Sequence, residues 1–202
     1  TRTQAQNGLI FFPTNYIGSI DNISVKEVVG QEVVPDSGTP SLLVEPQTTN
    51  LFTESSITIA NGAGVVTANS AISPDGTQNA TLVNFATGAN DGGRLNISGS
   101  AATPSTDYVI SFYAKSIVGD GTFTLRVDTD TQSNLVNDVL TIASEWARYT
   151  HTFTTDAAAS SFGSGSRVKR GFINNNEILF YGLQLEEGNT ATSYIPTNGA
   201  VA

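Results

Sequence analysis

The sequence predicts an all-β chain folded as an antiparallel two-sheet sandwich. Three observations carry this. Ser, Thr, Asn and Gly dominate the 202 residues while strong helix formers are sparse. Apolar residues alternate with polar ones and do not recur at helical spacing. Turn-forming clusters interrupt the chain at short intervals: SPDGTQ at 73–78, GANDGG at 88–93, GDG at 119–121 and SFGSGS at 161–166. Many short half-buried strands separated by such turns pack as two sheets face to face, and no helix of more than two turns is expected.

Taken in order, the first element is an echo. IGSIDNISVKEV at 17–28 resembles ILFYGLQLEEG at 178–188, and aligning Leu183–Glu187 with Ile23–Glu27 also pairs Phe172 with Phe12 and Asn175 with Asn15. Both copies read as the closing hairpin of a β-sandwich. PDSGTP at 35–40 is the expected linker, because two prolines and a glycine do not continue a strand interior. The expected division is therefore 1–38, the closing strands of an upstream repeat plus linker, and 39–202, the sandwich. Within the latter, DYVISFYAKS places Tyr108, Ile110, Phe112 and Ala114 on one face and Ser111, Tyr113 and Lys115 on the other. TFTLRVDTD turns Phe123, Leu125 and Val127 inward and Thr124, Arg126 and Asp128 outward. EILFYGLQLEE is expected to share Leu179, Tyr181, Leu183 and Leu185 on one face.

Composition excludes several kinds of chemistry. Without cysteine there is no thiolate nucleophile, disulfide or Cys-ligated zinc, and one histidine cannot form a His cluster. His151 shares the face of Tyr149 and Phe153 and reads as a core histidine. No G-x-S-x-G elbow or phosphate-binding loop accompanies it. The acids fall in turns (Asp75, Asp91, Asp120) or at a strand end (Glu186, Glu187), where solvation accounts for them, so no enzyme is expected. The stretch 128–138 begins like a calcium loop but has neither the sixth-position glycine nor the twelfth-position glutamate, and reads as a polar turn. Net charge is −9, and nine basic against eighteen acidic residues build no broad nucleic-acid footprint. The basic cluster Arg167, Lys169 and Arg170 reads as a solvated loop rim. No apolar run approaches the ~20 residues of a membrane span.

The phrases SLLVEPQTTNLF, SPDGTQNATLV, DYVISFYAKS, EWARYTHTF and YGLQLEEGNTATSYIPT occur in an order that resembles β-sandwich modules of tail and other virion proteins of bacterial viruses. Those modules are similar to the jelly-roll group of carbohydrate-binding modules and concanavalin-like lectin domains. IDNISVKEV resembles the last strand of the same kind of module. The resemblance implies a jelly roll and a non-enzymatic virion appendage of a tail or head fibre that recognises a host-surface poly- or oligosaccharide. Two alternatives stay open: a structural decoration protein without ligand, and an accessory carbohydrate-binding module of a polysaccharide-degrading enzyme. With the acidic balance, the resemblance also implies a structural calcium at Glu45 and nearby carbonyls, with no other cofactor required. Tyr181-Gly182 stands where the echo has Asp21-Asn22, which weakens a calcium site on that strand.

Glycan binding needs an exposed ring flanked by planar hydrogen-bonding groups. Tyr113, Arg126, Asp128, Trp146 and Arg148 all have outward parity and are the expected site, on one open face. Residues 9–29, as strands without a sheet of their own, are expected to dock on a sheet edge and to support a homo-oligomer, with a trimer favoured.

Overall fold

The computed structural model describes residues 31–36, 39–86, 88–119, 121–170 and 176–199. The echo at 9–29, with Phe172 and Asn175, lies outside the described residues. Among those described there are twelve strands and no helix.

The first two strands, β1 (Gln31–Asp36) and β2 (Thr39–Val44), pair only with each other, setting Pro35 opposite Pro40 and Asp36 opposite Thr39. Pro35, Asp36, Thr39 and Pro40 of the expected linker are thus paired strand residues. Both prolines sit in strands, contrary to expectation. In a two-stranded ribbon each strand is an edge, so a residue without an N–H can face away from its partner.

Sheet one holds β4 (Val65–Ala71), β5 (Ala80–Phe85), β7 (Asp107–Val118), β10 (Ala147–Thr154) and β12 (Asn176–Glu187), in the order β10-β7-β12-β5-β4. Sheet two holds β3 (Ile59–Asn61), β6 (Gly92–Arg94), β8 (Thr122–Val127), β9 (Val136–Thr141) and β11 (Arg167–Arg170), in the order β3-β6-β11-β8-β9. Every pairing is antiparallel. The chain forms a jelly-roll β-sandwich, as expected. From β7 onward it crosses between sheets at nearly every connection, only β8 and β9 being a hairpin within one sheet.

The core is where the alternation puts it. Ile110, Phe112 and Ala114 of β7 meet Phe123, Leu125 and Val127 of β8, all buried. Phe123 and Phe180 lie edge to face at 5.4 Å, and Phe112 and Phe180 are tilted at 5.8 Å. Such pairs add ~0.5–1.5 kcal/mol each beyond the area they bury. Tyr108 crosses Phe162 at 5.2 Å, and its hydroxyl accepts the Thr103 N–H at 2.9 Å, so the buried phenol has a partner. His151 faces the space between the sheets at their open edge, where Nε2 lies 3.2 Å from Asp138 Oδ2 on β9. The core-face reading of His151 holds, with a carboxylate across the sheets as its partner.

β12 departs from simple alternation. Tyr181 pairs with Tyr113, yet Gln184 pairs with Ser111, so three steps on β12 oppose two on β7. The extra residue is at Gly182, whose φ of 62° is left-handed and suited to glycine. This bulge reverses the inside-outside count. Ile178 and Phe180 before it, and Leu183 and Leu185 after it, all enter the core. Leu179 and Tyr181 are left on the outer side, and the single expected face is divided.

Candidate functional site

Part of the outer side of sheet one is covered by the chain's own closing segment. Gln184 and Glu186 project from β12 after the bulge and are fully buried beneath it. Glu186 accepts the Thr192 N–H at 3.2 Å and the Thr192 hydroxyl, while Gln184 Oε1 accepts the Ile195 N–H at 2.6 Å. Glu186 is therefore a buried clasp, where solvation was expected. Asp91 is also buried, accepting the Ala63 N–H at 2.8 Å.

The covering stops at Tyr194, and beyond it a row of half-exposed side chains runs across the sheet. Arg148 on β10 is directly opposite Tyr113 on β7, which is opposite Tyr181 on β12. The Arg148 guanidinium carbon lies 5.7 Å from the Tyr113 ring centroid. Tyr113 and Tyr181 are 6.0 Å apart, and Tyr181 and Tyr194 5.3 Å. A Cβ on Gly182 would stand 3.4 Å from the Tyr194 ring, so the bulge glycine is also the floor on which that ring rests.

Each end of the row is fixed by hydrogen bonds. Arg148 Nη2 donates to Ser111 Oγ at 3.0 Å and to the Thr192 carbonyl, which clamps the closing segment to the sheet. Its Nε is buried without a partner among the described residues. At the far end the Tyr181 hydroxyl donates to Asp75 Oδ2 at 2.9 Å. Asp75 is the aspartate of the SPDGTQ turn. Bonds from Asn79 first, then the Thr77 amide and Ser73, hold its carboxyl well below the usual range. Desolvation, followed by the bond to Asp75, pushes the Tyr181 phenol upward, and burial pushes Tyr194 upward. The row is thus a neutral aromatic strip with a cation at one end and a carboxylate at the other. Its geometry suits stacking against an apolar ring face, with hydrogen-bonding groups at both ends.

The five expected binding residues do not share one face. Tyr113 and Arg148 lie together on sheet one. Arg126 is on β8 of sheet two, with Asp128 immediately after that strand, on the opposite broad side of the sandwich. There they pair with each other: Arg126 Nε reaches Asp128 Oδ1 at 2.8 Å and Nη2 reaches Oδ2 at 2.6 Å. Parity along a strand tells inside from outside but not which sheet, and β7 and β8, although consecutive, belong to different sheets. Trp146 stands one residue before β10 and is half-buried. Sequence reasoning missed Tyr181 and Tyr194 as members of the row. The available signal was the glycine inside a strand, which marks a bulge.

Glu45 ties the opening of the sandwich to its close, as Oε2 accepts the Ser193 N–H at 2.8 Å and Oε1 the Ser193 hydroxyl at 3.0 Å. Among the described residues no group of three or more His, Asp or Glu is arranged to hold a metal. The 128–138 stretch is the connection from β8 into the start of β9, with Asp130 accepting from the hydroxyl and amide of Ser160. Two open hollows lie away from the tyrosine row, between residues 46–51 and 187–192. Gln47, Thr48, Leu51 and Glu187 line them, which supplies polar groups but no ring for stacking.

No family model and no curated protein matches the chain. Among solved structures, it is similar to the CBM22-1 xylan-binding domain of Paenibacillus barcinonensis Xyn10C, at 16% identity and a TM-score of 0.47, over 72% of this chain and 95% of that one. It is similar to the C-terminal family 22 carbohydrate-binding module of Clostridium thermocellum Xyn10B, at 13% identity and a TM-score of 0.48, over 73% and 95%. A third is the enzymatically active domain of tailspike protein 4 of bacteriophage CBA120, at 14% identity and a TM-score of 0.41, over 66% of this chain and 19% of that one. The chain thus resembles jelly-roll carbohydrate-binding modules and a phage tailspike.

Proposed function

We propose that this chain is a non-enzymatic module that binds a poly- or oligosaccharide along the tyrosine row of sheet one. The observation that carries the reading is the row itself: Tyr113, Tyr181 and Tyr194 in continuous contact, half-exposed, between Arg148 and Asp75. Rings already held in mutual contact lose little freedom on binding, and the terminal guanidinium and carboxylate can address hydroxyls. The phrases that open and close the sandwich support placing such a module on a virion appendage of tail or head fibre, and the sequence echo at 9–29 supports a homo-oligomer.

A glycan array, followed by affinity electrophoresis on soluble hits, tests the reading. Tyr113→Ala is expected to weaken binding ~10-fold or more, as removal of a central aromatic anchor does. A blank array, or hits indifferent to Tyr113→Ala and Tyr194→Ala, would overturn it. Light scattering on the full chain tests the oligomer, and a monomer at all concentrations would remove it.

A further inference from the structure

Sheet two carries a second and chemically different surface. β11 was expected as a solvated loop rim, but it is the middle strand of that sheet, and Val168 alone among its first three residues enters the core. Arg167 and Lys169 therefore project outward. The register then sets three arginines side by side on adjacent strands: Arg94 on β6 opposite Arg167, and Arg167 opposite Arg126 on β8. At ~4.8 Å per strand this is a continuous cationic ribbon of ~10 Å, with Lys169 beside it.

Like charges directly opposite on neighbouring strands are unfavourable. Among the described residues a single carboxylate answers them, Asp128, and it is engaged by Arg126. Among the described residues Arg167 Nε is buried without a hydrogen-bond partner, and its Nη1 reaches only Asn61 Oδ1, at 3.5 Å. Arg94 is exposed and donates once, to the Ser164 carbonyl at 3.1 Å, and Lys169 makes no hydrogen bond among the described residues. Four of the chain's nine basic residues thus stand together in a protein of net charge −9. The arginines and lysine feel one another: burial, then Arg126, lowers the proton affinity of both Arg167 and Lys169.

We infer that this ribbon is a binding site for a linear polysaccharide carrying carboxylate groups. The planar guanidinium forks match carboxylates bidentately, and a row of them matches a polymer better than a single small anion. A neutral hydrogen-bonding group flanks the ribbon for hydroxyls, the exposed Asn137 opposite Arg126. Nucleic acid is disfavoured, since none of the residues forming the ribbon or flanking it offers a ring for a base.

The test is affinity electrophoresis of the full chain in gels containing polygalacturonate, neutral dextran, dextran sulfate or single-stranded oligonucleotide. Retardation by polygalacturonate is expected, falling as salt is raised and unchanged by Tyr113→Ala, which separates this surface from the tyrosine row. The double substitution Arg94→Gln with Lys169→Gln, which removes no buried bond, should weaken retardation ~10-fold or more. No retardation by polygalacturonate would overturn the inference. So would retardation indifferent to the double variant, or equal or stronger retardation by dextran sulfate or the oligonucleotide.

Discussion

Replacing Asn50 by alanine would remove a side chain that uses both ends of its amide. Asn50 is fully buried, and its Oδ1 accepts the backbone N–H of Phe52 and of Leu185, each at 3.1 Å. Its Nδ2 donates to the carbonyls of Leu183 at 3.1 Å and Ile195 at 2.8 Å, and to Ser55 Oγ. One side chain so joins the opening phrase, the exit of the β12 bulge and the closing segment next to Tyr194. With alanine there, two buried N–H groups lose their acceptor. Each orphaned group costs ~1–3 kcal/mol, so the expected loss is ~2–6 kcal/mol. For a domain of this size each kcal/mol moves the melting temperature by ~2–4 °C, which gives a fall of ~4–24 °C. Calorimetry or a circular-dichroism melt reads this directly. Thr53→Ala is the control: Thr53 is exposed, with one side-chain bond to the Asn96 carbonyl, and should shift the melt by no more than ~2 °C. If Asn50→Ala melts with the parent, water or backbone adjustment satisfies those groups and the reasoning fails.

Other outcomes follow from the same geometry. Gly182→Ala places a Cβ in left-handed backbone and is expected to cost ~1–2 kcal/mol, while pressing on the Tyr194 ring; an unchanged melt would show that the bulge relocates. Asp130, held at about 2 by the Ser160 hydroxyl and then the Ser160 amide, stabilises its turn above its ordinary value of 3.8, and that stabilisation is lost as pH falls toward about 2. The Ser160 amide resonance should therefore titrate near the lower value, and a midpoint at 3.8 would remove the bond. Calcium held by Glu45 would raise the melting temperature over a chelated sample, and the rise would vanish in Glu45→Gln; equal melts in both media remove calcium from the account.

The core was legible because period two is local: Phe112 and Phe123 could be assigned inward from five residues on either side. Faces were legible only within a strand. Tyr113 and Arg126 were each correctly turned outward, yet they point in opposite directions, because β7 and β8 pair with distant strands and not with each other. The same distance hid the tyrosine row, which exists only through the Tyr113–Tyr181 pairing and the fold-back of residues 188–194. Arg167 looked like a loop residue because a Gly/Ser stretch precedes it, whereas Val168 fixed it in a central strand. The β12 alternation was misread for a smaller reason: one inserted glycine changes the count for everything after it.

The sandwich is closed at one place by its two ends. Glu45 holds Ser193, Asn50 holds Ile195, Ser55 Oγ accepts the Thr197 N–H at 2.9 Å, and Glu54 bridges to Asn198. The contacts advance along both segments together, 45 with 193, 50 with 195 and 55 with 197, so the closing segment is laid along the opening one. A pull at Glu45 and Asn198 would act at opposite ends of this seam and load its contacts together, in shear. Under tension the module should part first along this seam, and Tyr194, carried on the departing segment, would leave the aromatic row before the core opened.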